Sequence, residues 1–157
     1  MTKKIDLQIL TQFLNDANKA TYANKSAPKS DSTRLKSEDY HFEKDGLIYH
    51  DTYFGGRDFI GGEIVYKDDV PVWGMNYYGY VLSPSVSERD VYDFLRKALM
   101  QEYTGIIPVR GASNYEENSW RYTNIPEGTL DRFTGKEEIY HNDMVVYRAD
   151  YHGGLIG

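Results

Sequence analysis

Cysteine is absent from the chain. Without thiols there is no disulfide framework, no thiolate metal site and no cysteine nucleophile, and the composition fits a reducing cytoplasm. Long apolar runs are missing too, and none approaches the roughly 20 residues that a membrane-spanning helix needs. Met1-Thr2-Lys3-Lys4 leads into an amphipathic pattern and not into the apolar core of a secretory leader, so no signal peptide is expected. Positive charge is not in excess either. The net charge of −6 argues against direct nucleic-acid binding. No nucleophile elbow, Walker loop or dinucleotide fingerprint occurs. His41, His50, His141 and His152 lack the helical spacing of metal ligands. Neither a metal nor a cofactor is expected.

What is plentiful is tyrosine, with 15 residues. Tyrosine joins a large apolar area to a polar tip, which suits half-buried strands, pocket walls and interfaces. A length of 157 residues fits one domain over 1–157, large enough to bury a sizeable core. Charge is uneven along it. Residues 1–36 hold seven Lys/Arg and three Asp/Glu, for +4, and the remainder holds eleven and twenty-one, for −10. The basic segment reads as a solvated helix and loop.

The most informative stretch is Phe59 to Gly79, FIGGEIVYKDDVPVWGMNYYG. Two runs rich in β-branched and aromatic residues flank Lys67-Asp68-Asp69, which is a β-hairpin signal. The pattern returns at Phe133 to Gly153, FTGKEEIYHNDMVVYRADYHG, at a constant offset of 74. Eight of twenty-one positions match, among them Gly61 with Gly135, Glu63 with Glu137 and Tyr77 with Tyr151. Self-similarity at a fixed offset signals a duplicated supersecondary unit. The expectation is a pseudo-twofold domain with halves near 5–82 and 85–154.

In chain order, residues 5 to about 23 read as a helix. Leu7, Leu10, Leu14 and Ala17 form its stripe, Ile9 and Phe13 widen it, and Asp6 caps it. Residues 24–38 are a polar loop. Strands are expected at Tyr40–Phe42, Leu47–Phe54, 59–66 and 70–80, with Asp45-Gly46 marking a tight turn. Ser83-Pro84 ends this meander. Ser87 opens a second helix with Asp90 as a near capping box. Its apolar face is Val91, Phe94, Leu95, Ala98 and Leu99, and Thr104-Gly105 stops it. After a loop over 105–117, strands near 118–124, 129–134, 137–141 and 144–152 complete a second meander. The fold class is α+β, with two repeated helix-plus-antiparallel-meander units and the helices packed on one face of the sheet.

Strand alternation then assigns faces. If Asp68-Asp69 makes a two-residue turn, Val65 opposes Val72 and Glu63 opposes Gly74. Ile60, Ile64, Tyr66, Pro71, Trp73, Met75 and Tyr77 fall on the expected core face. Phe59, Gly61, Glu63, Val65, Val72, Gly74, Asn76 and Tyr78 share the other. The second copy keeps this parity, with Glu137, Arg148, Asp150 and His152 on the mixed face. The candidate ligand-binding residues are therefore Glu63, Asn76, Tyr78, Glu137, Asp150 and His152. Aromatic walls and carboxylates suit a cationic or sugar-like small molecule. The plain alternative is a solvated sheet surface with Glu137 paired to Arg148. Arg110-Gly111 reads as an ion-pairing loop. Two further alternatives stand: a homodimerising interaction module, and an enzyme using the paired carboxylates, with its catalytic residues unassigned.

The chain resembles a bacterial family of domains of unknown function, found mainly in Firmicutes. Its members occur alone or behind an Xre-type helix-turn-helix. The resemblance rests on Asp51-Thr52-Tyr53-Phe54-Gly55-Gly56, Phe59-Ile60-Gly61-Gly62-Glu63, Pro71 to Gly79, Pro108-Val109-Arg110-Gly111 and Tyr151-His152-Gly153-Gly154. It implies a stand-alone form of a domain that senses a small molecule for a regulator. It brings no assigned functional residues. Cytoplasmic location without membrane association is the matching expectation.

Overall fold

Left-handed backbone at paired turn residues shapes the chain. Both central residues have positive φ at Asp45-Gly46 (51° and 78°), Asp68-Asp69 (51° and 63°) and Asn142-Asp143 (50° and 62°). Asp, Asn and Gly tolerate that region, and such turns match the twist of paired strands. The computed structural model describes residues 5–157. The reading of Met1 to Lys4 lies outside the described residues.

The elements follow as α1 (Leu7–Ala20), β1 (Glu38–Lys44), β2 (Leu47–Gly55), β3 (Asp58–Lys67), β4 (Val70–Val81), α2 (Glu88–Leu99), a short 3-10 turn (Pro108–Arg110), β5 (Asn114–Glu117), β6 (Trp120–Thr129), β7 (Arg132–His141) and β8 (Met144–Leu155). The class is α+β. The two meanders join as one eight-stranded antiparallel sheet in the order β1-β2-β3-β4-β8-β7-β6-β5. At the central seam Tyr77 pairs with Tyr151, two residues 74 apart.

Several expectations need correction. Leu7 and Ile9, expected in the stripe, are 43% and 59% exposed and lie outside the buried set of Leu10, Phe13, Leu14 and Ala17. Ser87 takes the N-cap of α2 but makes no side-chain cap bond, and α2 stops at Leu99, with Met100 as its C-cap. In the second meander β5 falls inside the expected loop over 105–117, β6 runs on through Pro126 and Gly128 to Thr129, and β7 is one strand where two, near 129–134 and 137–141, were expected. β5 covers only the first part of β6, up to Thr123. At Pro126 the strand is an edge, where a missing N–H removes no ladder bond.

The largest correction concerns faces. The Asp68-Asp69 turn has two residues, as Lys67 pairs with Val70 and Tyr66 with Pro71. The register then shifts, and Val65 pairs with Trp73. Val72 is the extra residue of a β-bulge, and Val146 does the same in β8. A bulge inverts the parity of everything beyond it. Glu63 and Val65 consequently join Trp73, Met75 and Tyr77 on one side, while Ile60, Ile64 and Tyr66 turn to the other.

The core fills the first side. Leu10, Phe13, Leu14 and Ala17 of α1 cluster with Tyr49, Val65, Trp73 and Met75. Val91, Phe94, Leu95, Ala98 and Leu99 of α2 cluster with Tyr122, Ile139, Val146 and Tyr147. Trp73 is fully buried, donates its indole N–H to the Leu130 carbonyl at 3.0 Å and stacks on Phe133. Ile60, expected in the core, is 56% exposed. Trp73→Ala should therefore cost about 3–5 kcal/mol in urea unfolding, and Ile60→Ala less than about 1 kcal/mol. The reverse order of these losses would refute the bulged register.

Candidate functional site

The candidate site residues divide between the two sides of the sheet. Glu63 and Glu137 lie toward the helices, 3% and 0% exposed. Asn76, Tyr78, Asp150 and His152 lie on the opposite, open side. There the register of β4 and β8 sets Asn76 against His152 and Tyr78 against Asp150. The six residues do not share one cavity.

On the helix side, glycine at 61 and 135 creates the geometry. Gly61 pairs with Tyr77 and Gly135 with Tyr151. A Cβ at either glycine would collide with the facing tyrosine. The rings lie across these gaps and reach the next strands. The Tyr77 hydroxyl donates to Asp51 Oδ1 at 2.6 Å, and the Tyr151 hydroxyl to Asn124 Oδ1 at 2.5 Å. Asp51 is the cross-strand partner of Glu63, and Asn124 that of Glu137.

Arg110, from the 3-10 turn, enters this layer from the helix side. Its guanidinium carbon stands 5.9 Å from the ring centres of both Tyr77 and Tyr151. Its charge is not shared equally. Nη1 lies 2.9 Å from Glu137, and Nη2 lies 4.0 Å from Glu63. Tyr122 donates its hydroxyl to Glu137 as well. Burial alone would lower the Arg110 pKa, but Glu137 and then Glu63 outweigh it and hold it above the ordinary range. Arg110 thus forms the expected ion pair, with Glu137. Arg148 pairs with Glu138 instead, at 2.9 Å, because Glu137 faces the other side.

The half of the layer around Glu63 is less well compensated. Burial raises the Glu63 pKa to about 7, with Arg110 opposing the rise. Burial, followed by the charge of Glu63, pushes Asp51 well above the carboxylate range. Glu63 Oε2 and the Tyr147 hydroxyl are buried without hydrogen-bond partners. Both residues line a cavity of about 180 Å3 between the sheet and α2. Titratable groups displaced this far by burial and by a like-charged neighbour are a mark of functional sites.

The open side carries a larger concavity of about 1460 Å3. Asn76, Tyr78, Asp150 and His152 line its middle, His41 and His50 one end, and Ile125 and Glu127 the other. At the first end, His50 Nε2 sits 2.6 Å from Asp39 Oδ2 and His41 Nε2 2.7 Å from Glu43 Oε1. Asp39 also accepts hydroxyl bonds from Thr33 at 2.7 Å, Ser37 at 2.5 Å and Thr52 at 2.7 Å. Burial would push the Asp39 pKa up, but these bonds outweigh it and hold the carboxyl well below its usual range. Among the described residues no group of three or more His, Cys, Asp or Glu side chains could hold a metal ion. No helix among them is long and apolar enough to cross a membrane.

A family model for a domain of unknown function, DUF5680, matches residues 51–156. The chain belongs to this family. The match takes in Asp51, Glu63, Arg110, Glu137 and every strand from β3 to β8, whereas α1 and β1 precede it. Apart from Tyr49, which bonds to Glu63 from just before the match, the polar layer of this DUF5680 protein lies inside the matched region. No curated protein and no solved structure matches the chain.

Sequence reasoning singled out Glu63 and Glu137 but missed Asp51, Tyr49, Tyr122 and Asn124. Their only sequence signal is position in strands that flank the repeated glutamates. The alternation Asp39-x-His41-x-Glu43 was a legible trace of the polar cluster at the sheet edge.

Two outcomes follow for this DUF5680 layer. Arg110→Met should destabilise by about 3–5 kcal/mol in urea unfolding, because Glu137 keeps a buried charge without its partner. Removing Glu137 as well (Arg110→Met with Glu137→Gln) should recover part of that loss. The second outcome concerns pH. Glu63 and Asp51 hold protons more tightly folded than unfolded. Their contribution is therefore complete below the unfolded carboxylate pKa of about 4.5 and is lost as pH rises toward 7. Asp39 has the opposite sign and acts only at more acidic pH. Melting temperature should fall between pH 5 and about 8, and Glu63→Gln should flatten that slope. A melting temperature that rises over this window would contradict the assignment.

Proposed function

We propose that this chain is one domain that binds a small molecule without catalysis, and that the ligand lies in the open concavity over the central strands. The observation that carries the reading is the juxtaposition at the β4–β8 seam. Asn76 and His152 face each other, Tyr78 faces Asp150, and no helix among the described residues lines this concavity. Hydrogen-bonding groups, a carboxylate and an aromatic ring converge on one floor, flanked by the apolar Ile60 and Ile64. A sugar-like or cationic ligand fits that mixture.

The offset of 74 makes the seam the axis of a duplicated fold. β3 and β7, like β4 and β8, have bounds 74 residues apart, and Tyr77 faces Tyr151 across the seam. On this reading the domain serves as a cytoplasmic sensor in a bacterium, of the kind that a transcription regulator reads. It contacts neither nucleic acid nor membrane directly.

A second reading has its own support. Ile60 (56% exposed), Tyr78 (47%) and Ile125 (63%) place apolar area on this one side. Uncovered apolar area of this kind also serves association, here as a homodimer.

Chemical-shift mapping with a panel of monosaccharides and polyamines tests the first reading. Shifts should cluster on Asn76, Tyr78, Asp150 and His152. Asn76→Ala and His152→Ala should each weaken binding about fivefold to tenfold, the worth of one hydrogen bond. Clustering on α1, or insensitivity to both substitutions, would end it. Light scattering separates the second reading, since a dimer that Ile60→Asp dissolves would favour association.

A further inference from the structure

The small cavity on the helix side is independent of the open concavity, and its chemistry is more specific. Its floor is Glu63, its inner wall is formed by Tyr49, Tyr77 and Tyr147, and the exposed Gly56 and Glu88 stand at its mouth. Two buried polar atoms there have no partner: Glu63 Oε2, an acceptor, and the Tyr147 hydroxyl. Buried polar groups are satisfied in the great majority of cases, so a pair of orphans sharing one cavity points to a missing donor-bearing occupant.

Charge chooses the sign of that occupant. Asp51, Glu63 and Glu88 line the cavity against Arg96 and Arg110. Arg110 is committed to Glu137 at 2.9 Å. With that pair set aside, three carboxyl groups meet one guanidinium. Arg96 itself is held over the Tyr22 ring at 4.3 Å and donates to the Tyr22 carbonyl at 3.1 Å. An anion would add to an already carboxyl-rich lining, whereas a cation takes the place of the protons that burial holds on Glu63 and Asp51 and gains from the faces of the surrounding tyrosines. The volume of about 180 Å3 equals the share of about six water molecules, which admits a compact head group and excludes a large ligand.

We infer that this cavity is a second binding site, selective for a small planar organic cation of the amidinium or arylammonium class, whose N–H groups donate to Glu63 Oε2 and to Asp51. The ligand enters between the β2–β3 turn and the start of α2. This goes beyond the reading of the open side and does not depend on it.

Benzamidine is the probe, with benzamide and benzoate as neutral and anionic molecules of nearly the same shape. Calorimetric titration of the full chain should show benzamidine binding at least about tenfold tighter than benzamide, and no binding of benzoate. Glu63→Gln should abolish the preference for benzamidine. Gly56 offers open space to a side chain, so Gly56→Trp should obstruct the mouth without disturbing the interior, and binding should weaken. Gly56→Trp also keeps the test decisive if Glu63→Gln does not fold. Equal affinity for benzamidine and benzamide, no benzamidine binding at millimolar concentration, or binding indifferent to Gly56→Trp would overturn the proposal.

Discussion

A single buried arginine between two buried glutamates constrains the rest of this structure. Arg110 stands equally far from Tyr77 and Tyr151, yet it pairs closely with Glu137 and only distantly with Glu63. One guanidinium cannot neutralise two carboxylates and Asp51 besides. Burying charge is tolerable only where it is paired and hydrogen-bonded. Glu137 meets that condition through Arg110 and Tyr122. Glu63 meets it only in part, through Tyr49 and the distant Arg110, and the cavity, the orphaned oxygen and the raised pKa all lie on its side. Near-equivalent positions thus reach different chemistry because one cation serves both.

The layer exists because of two local devices. Glycine at 61 and 135 lets tyrosines from the neighbouring strands lie flat and carry their hydroxyls to Asp51 and Asn124. Bulges at Val72 and Val146 turn the glutamates toward the helices while keeping Trp73 and Tyr147 in the core. Without the extra residue in each hairpin, period-two alternation would set Glu63 opposite Gly74 on the open side. A shift of one residue in register therefore separates a buried ionisable layer from a solvated surface.

Much of the architecture was legible in the residues. The Asp-Gly and Asp-Asp turns announced hairpins, and the stripes of Leu10, Leu14 and Ala17 and of Val91, Phe94 and Leu95 announced two helices. Trp73, Met75 and Tyr77 were recognisable as core. The faces of β3 and β7 were not, since a bulge leaves no trace in alternation until the partner strand is known. The same ignorance placed Glu63 beside Asn76, and it paired Glu137 with Arg148. The candidate site was thus legible as a set of residue types, and the sheet's two sides divided it into a buried cluster and an open one.

By itself the sequence determined the two helices, the first meander, the repeat offset of 74 and the lack of thiol chemistry, because propensity, periodicity and composition are local properties of the chain. Tertiary structure alone decided that β4 joins β8 into one sheet and that Tyr77 meets Tyr151. It also decided that Arg110, 27 residues from Glu137 in the chain and 47 from Glu63, lies between them. These are contacts between distant segments, fixed by strand pairing and by the cost of leaving buried charge uncompensated. No local pattern records which of the two glutamates will receive Arg110, which reaches both.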